Sequence, residues 1–207
     1  MQGAAFGTGT EVTSTRATLS GAVAAGDLLV GWFGQYDSTG QVQVSDSVNG
    51  AWTRAPASTT FGSGTRHGDL ALYYVQNTAA AAGGLTVTVS SAAATHLQGA
   101  VAEYTGVART GALTAGAVGH GTGTTADTAP TAAVDAGALV FAGLITGGSP
   151  GSATPGNGLV IHDHTASFSV DDADALAAAG TQHAPWTLAG STDWYDVVAA
   201  FHPAAGP

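Results

Sequence analysis

Gly26-Asp27-Leu28-Leu29-Val30-Gly31-Trp32-Phe33 is the stretch whose reading decides the fold. Glycine followed by aspartate marks a turn, because glycine takes backbone angles closed to other residues and aspartate bonds to nearby backbone. The apolar run after it has no polar alternation, so it reads as a strand buried on both faces. A cousin recurs as Gly137-Ala138-Leu139-Val140-Phe141-Ala142-Gly143, 111 residues later (137 − 26). These two strands form the spine of the expected core.

Short β-branched and aromatic blocks separated by turn residues surround both, the pattern of many short strands. Val42-Gln43-Val44-Ser45-Asp46 and Leu85-Thr86-Val87-Thr88-Val89-Ser90 alternate as half-buried strands do. Residues 11–19, 52–54, 70–75 and 97–104 complete the strands expected in the first half. Asn49-Gly50 between them is a hairpin signal, since both residues tolerate positive φ. Residues 106–130, rich in Gly, Ala and Thr, read either as an interdomain linker or as a long connection with one or two weak strands. The second reading is preferred, because the C-terminal half has too few strands to fold alone. Strands are then expected at 131–134, 138–146, 159–164, 166–170, 186–188 and 197–201. Asp171 to Gly180 fits a short helix capped at each end or a strand standing where Leu70–Val75 stands in the first half; we take it as a strand.

The halves rhyme. Val101-Ala102-Glu103-Tyr104 is answered by Val198-Ala199-Ala200-Phe201, an offset of 97 (198 − 101), and Leu70 to Val89 parallels Ala175 to Leu188. The alternative is chance similarity in a chain dominated by small residues. A strand set too small to bury both faces gains by packing on its copy. The expectation is therefore an all-β chain, one domain over 1–207, forming an antiparallel, jelly-roll-like β-sandwich from two similar halves at about 10–107 and 128–203.

Composition narrows function. Of 207 residues 44% are hydrophobic, enough for a sizeable core, but only 9% are charged against about 25% in ordinary soluble domains. Four Arg and no Lys face fourteen acids, for a net charge of -10. That excludes the basic footprint nucleic acid requires and disfavours anionic membranes. Cysteine is absent, so disulfides and thiolate metal sites are excluded. No apolar run reaches the roughly 18 residues of a membrane span, and the first residues lack the pattern of a signal peptide.

Four groupings are candidates for chemistry. His162-Asp163-His164 on a strand places two imidazoles on one face, as a metal site wants, but the further ligands such a site needs are not nearby in sequence. Asp171-Asp172-Ala173-Asp174 offers oxygens for calcium without EF-hand spacing, and a solvated acidic turn accounts for it as well. Asp193-Trp194-Tyr195-Asp196, placed in a loop, is the candidate ligand-binding site: rings to stack on a sugar and acids to orient its hydroxyls, against the alternative that Trp194 packs on the sandwich end. Gly-x-Gly pairs at Gly7, Gly62 and Gly121 do not sit between a strand and a helix, so they are not phosphate loops. No nucleophile elbow supports a Ser-His-Asp triad, and nothing singles out two of the fourteen acids as a glycosidase pair. No cofactor, metal or catalytic residue is expected.

Ala4-Ala5-Phe6-Gly7, Ala24-Ala25-Gly26-Asp27-Leu28-Leu29-Val30, Ser45-Asp46-Ser47-Val48-Asn49-Gly50-Ala51-Trp52-Thr53-Arg54 and Val101-Ala102-Glu103-Tyr104-Thr105-Gly106-Val107 together resemble a β-sandwich module. It is one found in minor tail and other virion proteins of actinobacterial phages and in secreted actinobacterial proteins. The resemblance covers most of the chain, through turns and core strands, and supplies no catalytic residues. It implies a non-enzymatic virion protein, a minor tail or capsid decoration protein on the exposed particle surface. Its partners would be other virion proteins or itself, as a homo-oligomer such as a trimer, with a host-surface glycan as a further ligand. The rival readings are a secreted carbohydrate-binding module and, last, a hydrolase.

Overall fold

The computed structural model describes residues 2–36, 38–63, 66–148, 152–165 and 170–205. Among them there are fourteen strands and no helix. The first half holds β1 (Gln2–Gly7), β2 (Val12–Leu19), β3 (Leu28–Tyr36), β4 (Gln43–Asp46), β5 (Gly50–Ala51), β6 (Thr53–Ser63), β7 (Arg66–Val75) and β8 (Leu85–Tyr104). The second holds β9 (Leu113–Ala126), β10 (Leu139–Thr146), β11 (Ala153–Pro155), β12 (Val160–Thr165), β13 (Val170–Leu176) and β14 (Trp186–Phe201). Two antiparallel sheets result. One runs β5-β4-β8-β3-β7-β6 with β1 and β2 also on β8; the other runs β11-β14-β10-β13-β12 with β9 on β14. The chain is an all-β sandwich of two similar halves.

Each half is organised by one long strand that serves two layers. The N-terminal part of β8 carries β2 and β4, and its C-terminal part carries β1 and β3. Between them Ala92, Ala93 and Ala94 are exposed. There the strand turns back, so that Leu85, Val87 and Val89 join Leu29, Phe33 and Val101 in one core. β14 repeats the device: its start pairs with β11 and its end with β10. Trp186 and Leu188 thereby reach Val140, Leu144 and Val198. Sequence alone suggests two separate strands in each of these places. In the structure each pair of pieces is one unbroken strand that passes through small residues at its bend.

A third core lies between the halves. Leu28, Val30, Trp32 and Leu72 meet Phe141, Ile145, Val197 and Phe201 there. β3 is buried along both faces, one toward each core, which is why its sequence does not alternate. The turn glycines before β3 and β10, Gly26 (φ 93°) and Gly137 (φ 81°), occupy the left-handed region that favours glycine.

The halves are related by a pseudo-two-fold axis. Leu28 pairs with Tyr104 and Leu139 with Phe201, so β3 maps on β10 by 111 residues (139 − 28) and β8 on β14 by 97 (201 − 104). Across the sandwich β6 approaches β9 while β12 approaches β1, and β7 approaches β14 while β13 approaches β8. Each contact is the other with the halves exchanged. β3 and β10 face each other at the centre. There Trp32 lies on Gly143, its own equivalent (143 − 32 = 111): a methyl on Gly143 would stand 2.2 Å from the Trp32 Cγ. Gly34 receives Ile145 in the same way, with 3.4 Å to Ile145 Cδ1.

Three further local expectations change. The 106–130 stretch does carry a strand, but one long strand rather than weak ones: the 14-residue β9, paired along β14. Its glycines make room for the partner strand: the Trp194 ring covers Gly121, within 2.7 Å of where a methyl would be. Residues 131–134 contribute only a bridge from Val134 to Gly180. The Asn49-Gly50 turn has three loop residues, with positive φ at Gly50 (77°) alone. It is held by the Asp46 carboxylate, which accepts from the Val48 and Asn49 backbone N–H and from Trp52 Nε1–H at 2.7 Å. Asp171 onward is strand as expected, within β13. Of the strand expected at 166–170, residues 166–169 lie outside the described residues.

Gly143→Ala should destabilise the protein by about 1–3 kcal/mol, the usual range for overpacking a filled core. Trp32→Ala should cost about 3–5 kcal/mol. In urea denaturation the double substitution should lose less than the sum, because the alanine then fills space the indole has left; strict additivity would mean the two residues do not share one site.

Candidate functional site

The Asp193–Asp196 segment lies within strand β14 rather than in a loop. Successive side chains therefore point to opposite faces. Tyr195 packs against the core between the halves, and Trp194 against the inner core of the second half. Asp193 accepts a hydrogen bond from Thr122 Oγ1 at 2.6 Å, and the Tyr195 ring lies 6.4 Å from that of His120 at 31°. The four residues thus divide into two environments. Asp193 and Tyr195 share a half-exposed face with His120 and Thr122, while Trp194 and Asp196 turn inward.

Asp196 is fully buried. Neither carboxyl oxygen makes a hydrogen bond of normal geometry, and the buried indole N–H groups of Trp186 and Trp194 are likewise unpartnered. Burial pushes the Asp196 carboxyl well above the usual carboxylate range, and the charge of Asp127 adds to this. The nearby Trp186 indole N–H and the Val197 backbone oppose it without cancelling it. Asp127 itself is held by His183, whose Nδ1 lies 2.8 Å from Oδ1.

Three other polar groups are built into the structure. Arg54 and Asp69 form a two-pronged ion pair at 2.7 and 2.8 Å, with Asp69 completely buried. Arg54 also donates to the Tyr73 hydroxyl at 3.1 Å, and Tyr73 in turn donates to the Val42 carbonyl. Burial alone would lower the Arg54 pKa, but the hydrogen bonds to Asp69 and Tyr73 outweigh it and raise it. Burial raises that of Tyr73. The arrangement ties β6, β7 and the segment before β4 together beside the bulge that follows Arg54.

The second group is Glu103, buried near the end of β8. It accepts from the Ala24 backbone N–H at 2.9 Å and from Gln2 Nε2 at 2.6 Å. Asp27 stands against it. Burial first, then the hydrogen bond and charge of Glu103, raise the Asp27 pKa, while Thr105 and Arg109 lower it. In its protonated form Asp27 donates to the Glu103 carboxylate, with the Arg109 guanidinium lying on Gly26 next to them. The third feature is an open cleft of about 700 Å³ that runs on from Arg109, lined also by Thr110, Asp135, His202 and Pro203. His202 Nδ1 is 3.8 Å from Asp135 there.

Both Glu103 oxygens are already engaged by the fold. In the sequence none of Asp27, Glu103, Arg109, Arg54 and Asp69 stands out as a site residue. One signal was available: a glutamate, one of two in the chain, inside the apolar run Val101-Ala102-Glu103-Tyr104. The side chains of His162, Asp163, His164, Asp171 and Asp172 lie outside what the structure describes. Among the described residues no cluster of three His, Asp or Glu could hold a metal ion.

Fold and sites define the class: an all-β sandwich of two similar halves whose buried polar side chains are mostly tied into the scaffold. No protein-family model, no curated protein and no solved structure matches the chain.

Asp69→Ala leaves the Arg54 guanidinium uncompensated and should cost about 3–5 kcal/mol in urea denaturation. Replacing both partners by apolar residues of similar size should cost clearly less, since no unpaired charge remains. Equal losses would show that the pair acts through packing alone.

Proposed function

We propose that the protein is a non-enzymatic structural module of a virion, a minor tail or capsid decoration protein on the exposed particle surface, acting through contacts with other virion proteins or with further copies of itself. The observation that carries this reading is the use made of the polar side chains. Arg54, Asp69 and Tyr73 clamp three segments of the first half. Glu103 and Gln2 clamp β1 to the 21–24 turn. Asp46 and Asn49 clamp the β4–β5 hairpin to Thr78 and Ala79. Such clamps stiffen a scaffold. The resemblance to phage virion modules points the same way, because its motifs fall on these turns and core strands.

Particle fractionation with measurement of the purified protein's mass in solution tests the reading. Co-migration with particles and a defined oligomer are expected. A pool found only free and monomeric would overturn it.

A second reading, host-glycan adhesion, has its own observation. Asp193, Tyr195, His120 and Thr122 lie side by side on one half-exposed face of β9 and β14. An aromatic ring beside a carboxylate is the chemistry that holds a sugar. On a glycan array this reading expects hits that Tyr195→Ala abolishes and Trp194→Phe retains. No hits with the unaltered protein would remove it.

A further inference from the structure

Asp196 is the one described acid that is both fully buried and without a hydrogen bond of normal geometry. Among the described residues no cation is placed to neutralise it. On β9 the residue opposite is Gly119, and that strand's only titratable group, His120, lies against Tyr195 on the other face. On β10 the residue opposite is Leu144, in a strand without charge. Beyond Leu144 the next residue in register is another acid, Asp171 of β13. Along β14 itself Asp193 points to the other face and Trp186 and Trp194 are neutral. From the segments above come Asp127, negative, and His183, which is held by Asp127 and half-exposed. An ionised Asp196 would stand in an apolar core formed by Val140, Leu144, Trp186, Leu188 and Val198.

We propose that Asp196 is a proton-operated latch on the second half: with its proton, the folded-back layer carrying Trp186 and Leu188 closes over the central sheet, and without it the carboxylate draws water in and that layer loosens. Two features place the latch there. The buried carboxyl and two buried indole N–H groups leave four polar atoms without a hydrogen bond of normal geometry, so water entering this core gains hydrogen bonds that the closed state lacks. The layer that would move is joined to the central sheet through the bend of β14, where the β9 pairing is interrupted between Thr187 and Thr192.

The sign follows from proton linkage. The closed state holds the proton more tightly than the open or unfolded state, where an aspartate titrates near pH 4. Closed molecules therefore bind more protons than open ones as pH rises above about 4, and stability falls with rising pH until the closed-state carboxyl has itself ionised. Acid closes the latch and alkali loosens it, opposite to the behaviour of an ion-paired aspartate.

Amide hydrogen exchange at Trp186, Thr187 and Leu188, comparing the unaltered protein with Asp196→Asn at each pH, reads the latch directly. The opening constant of the unaltered protein relative to the variant should rise by up to about tenfold per pH unit above about pH 5, and Asp193→Asn should behave as the unaltered protein does. A ratio independent of pH would overturn the proposal. Should Asp196→Asn fail to fold, carboxyl ¹³C NMR of the aspartate-labelled, unaltered protein decides. A carboxyl still protonated at about pH 6 and assigned to Asp196 supports the latch; every aspartate titrating near pH 4 ends it.

Discussion

The seating of Trp32 on Gly143 is the constraint on which the two-half architecture depends. A residue on a two-fold axis meets its own equivalent. In a dimer of identical chains the central pair would be tryptophan against tryptophan or glycine against glycine, a clash or a void. Joining the halves in one chain frees the two positions to differ. One side supplies the largest side chain and the other none, and Gly34 with Ile145 repeats the solution in the opposite sense. The middle core is then filled by buried residues drawn from both halves. The two sheets can approach here because bulk on one is matched by absence on the other.

Much of this was legible in the sequence, and the reason is burial. Leu28 to Gly34 is apolar throughout because both faces of β3 are covered, and Leu139 to Thr146 is so for the same cause. The 111- and 97-residue offsets could be read because turn glycines and core strands are held by geometry that tolerates few substitutes. What escaped was continuity. β8 and β14 each look like two strands, since the residues at their bends, Ala92 to Ala94 and Ala189 to Ser191, carry no hydrophobic signal. β9 escaped for a related reason. Its pairing is made by backbone, and the ring that covers Gly121 belongs to Trp194, far away in sequence.

The polar sites were less legible, again for a physical reason. Asp193 to Asp196 invited a reading as a loop because acids and rings are grouped there. On a strand successive side chains sort onto two faces, so a sequence grouping is not a spatial one. Arg54 and Asp69 are fifteen positions apart and meet only because β6 and β7 pair. Asp27, just before β3, reaches Glu103 of β8, whose own partner in register is Leu29. Charge pairs made by sheet register leave no local spacing to recognise, unlike those made by a helical turn.

The two halves differ in the chemistry of their inner cores. In the first half Phe33 lies over Gly99, 2.7 Å from where a methyl would stand, with Phe6, Trp52 and Tyr73 around it. In the second half the equivalents of Phe33 and Gly99 are Leu144 (144 − 33 = 111) and Asp196 (196 − 99 = 97). A smaller apolar side chain on one strand is thus accompanied by a side chain where there was none on the next. The replacement roughly conserves volume but not polarity, and it sets a carboxyl in a place built for a ring. The first half pairs its completely buried carboxylate, Asp69, with Arg54, whereas among the described residues no cation stands by Asp196. Interior carboxyls without partners are tolerated by staying neutral. The inner core of the second half therefore depends on a proton in a way that its aromatic counterpart does not.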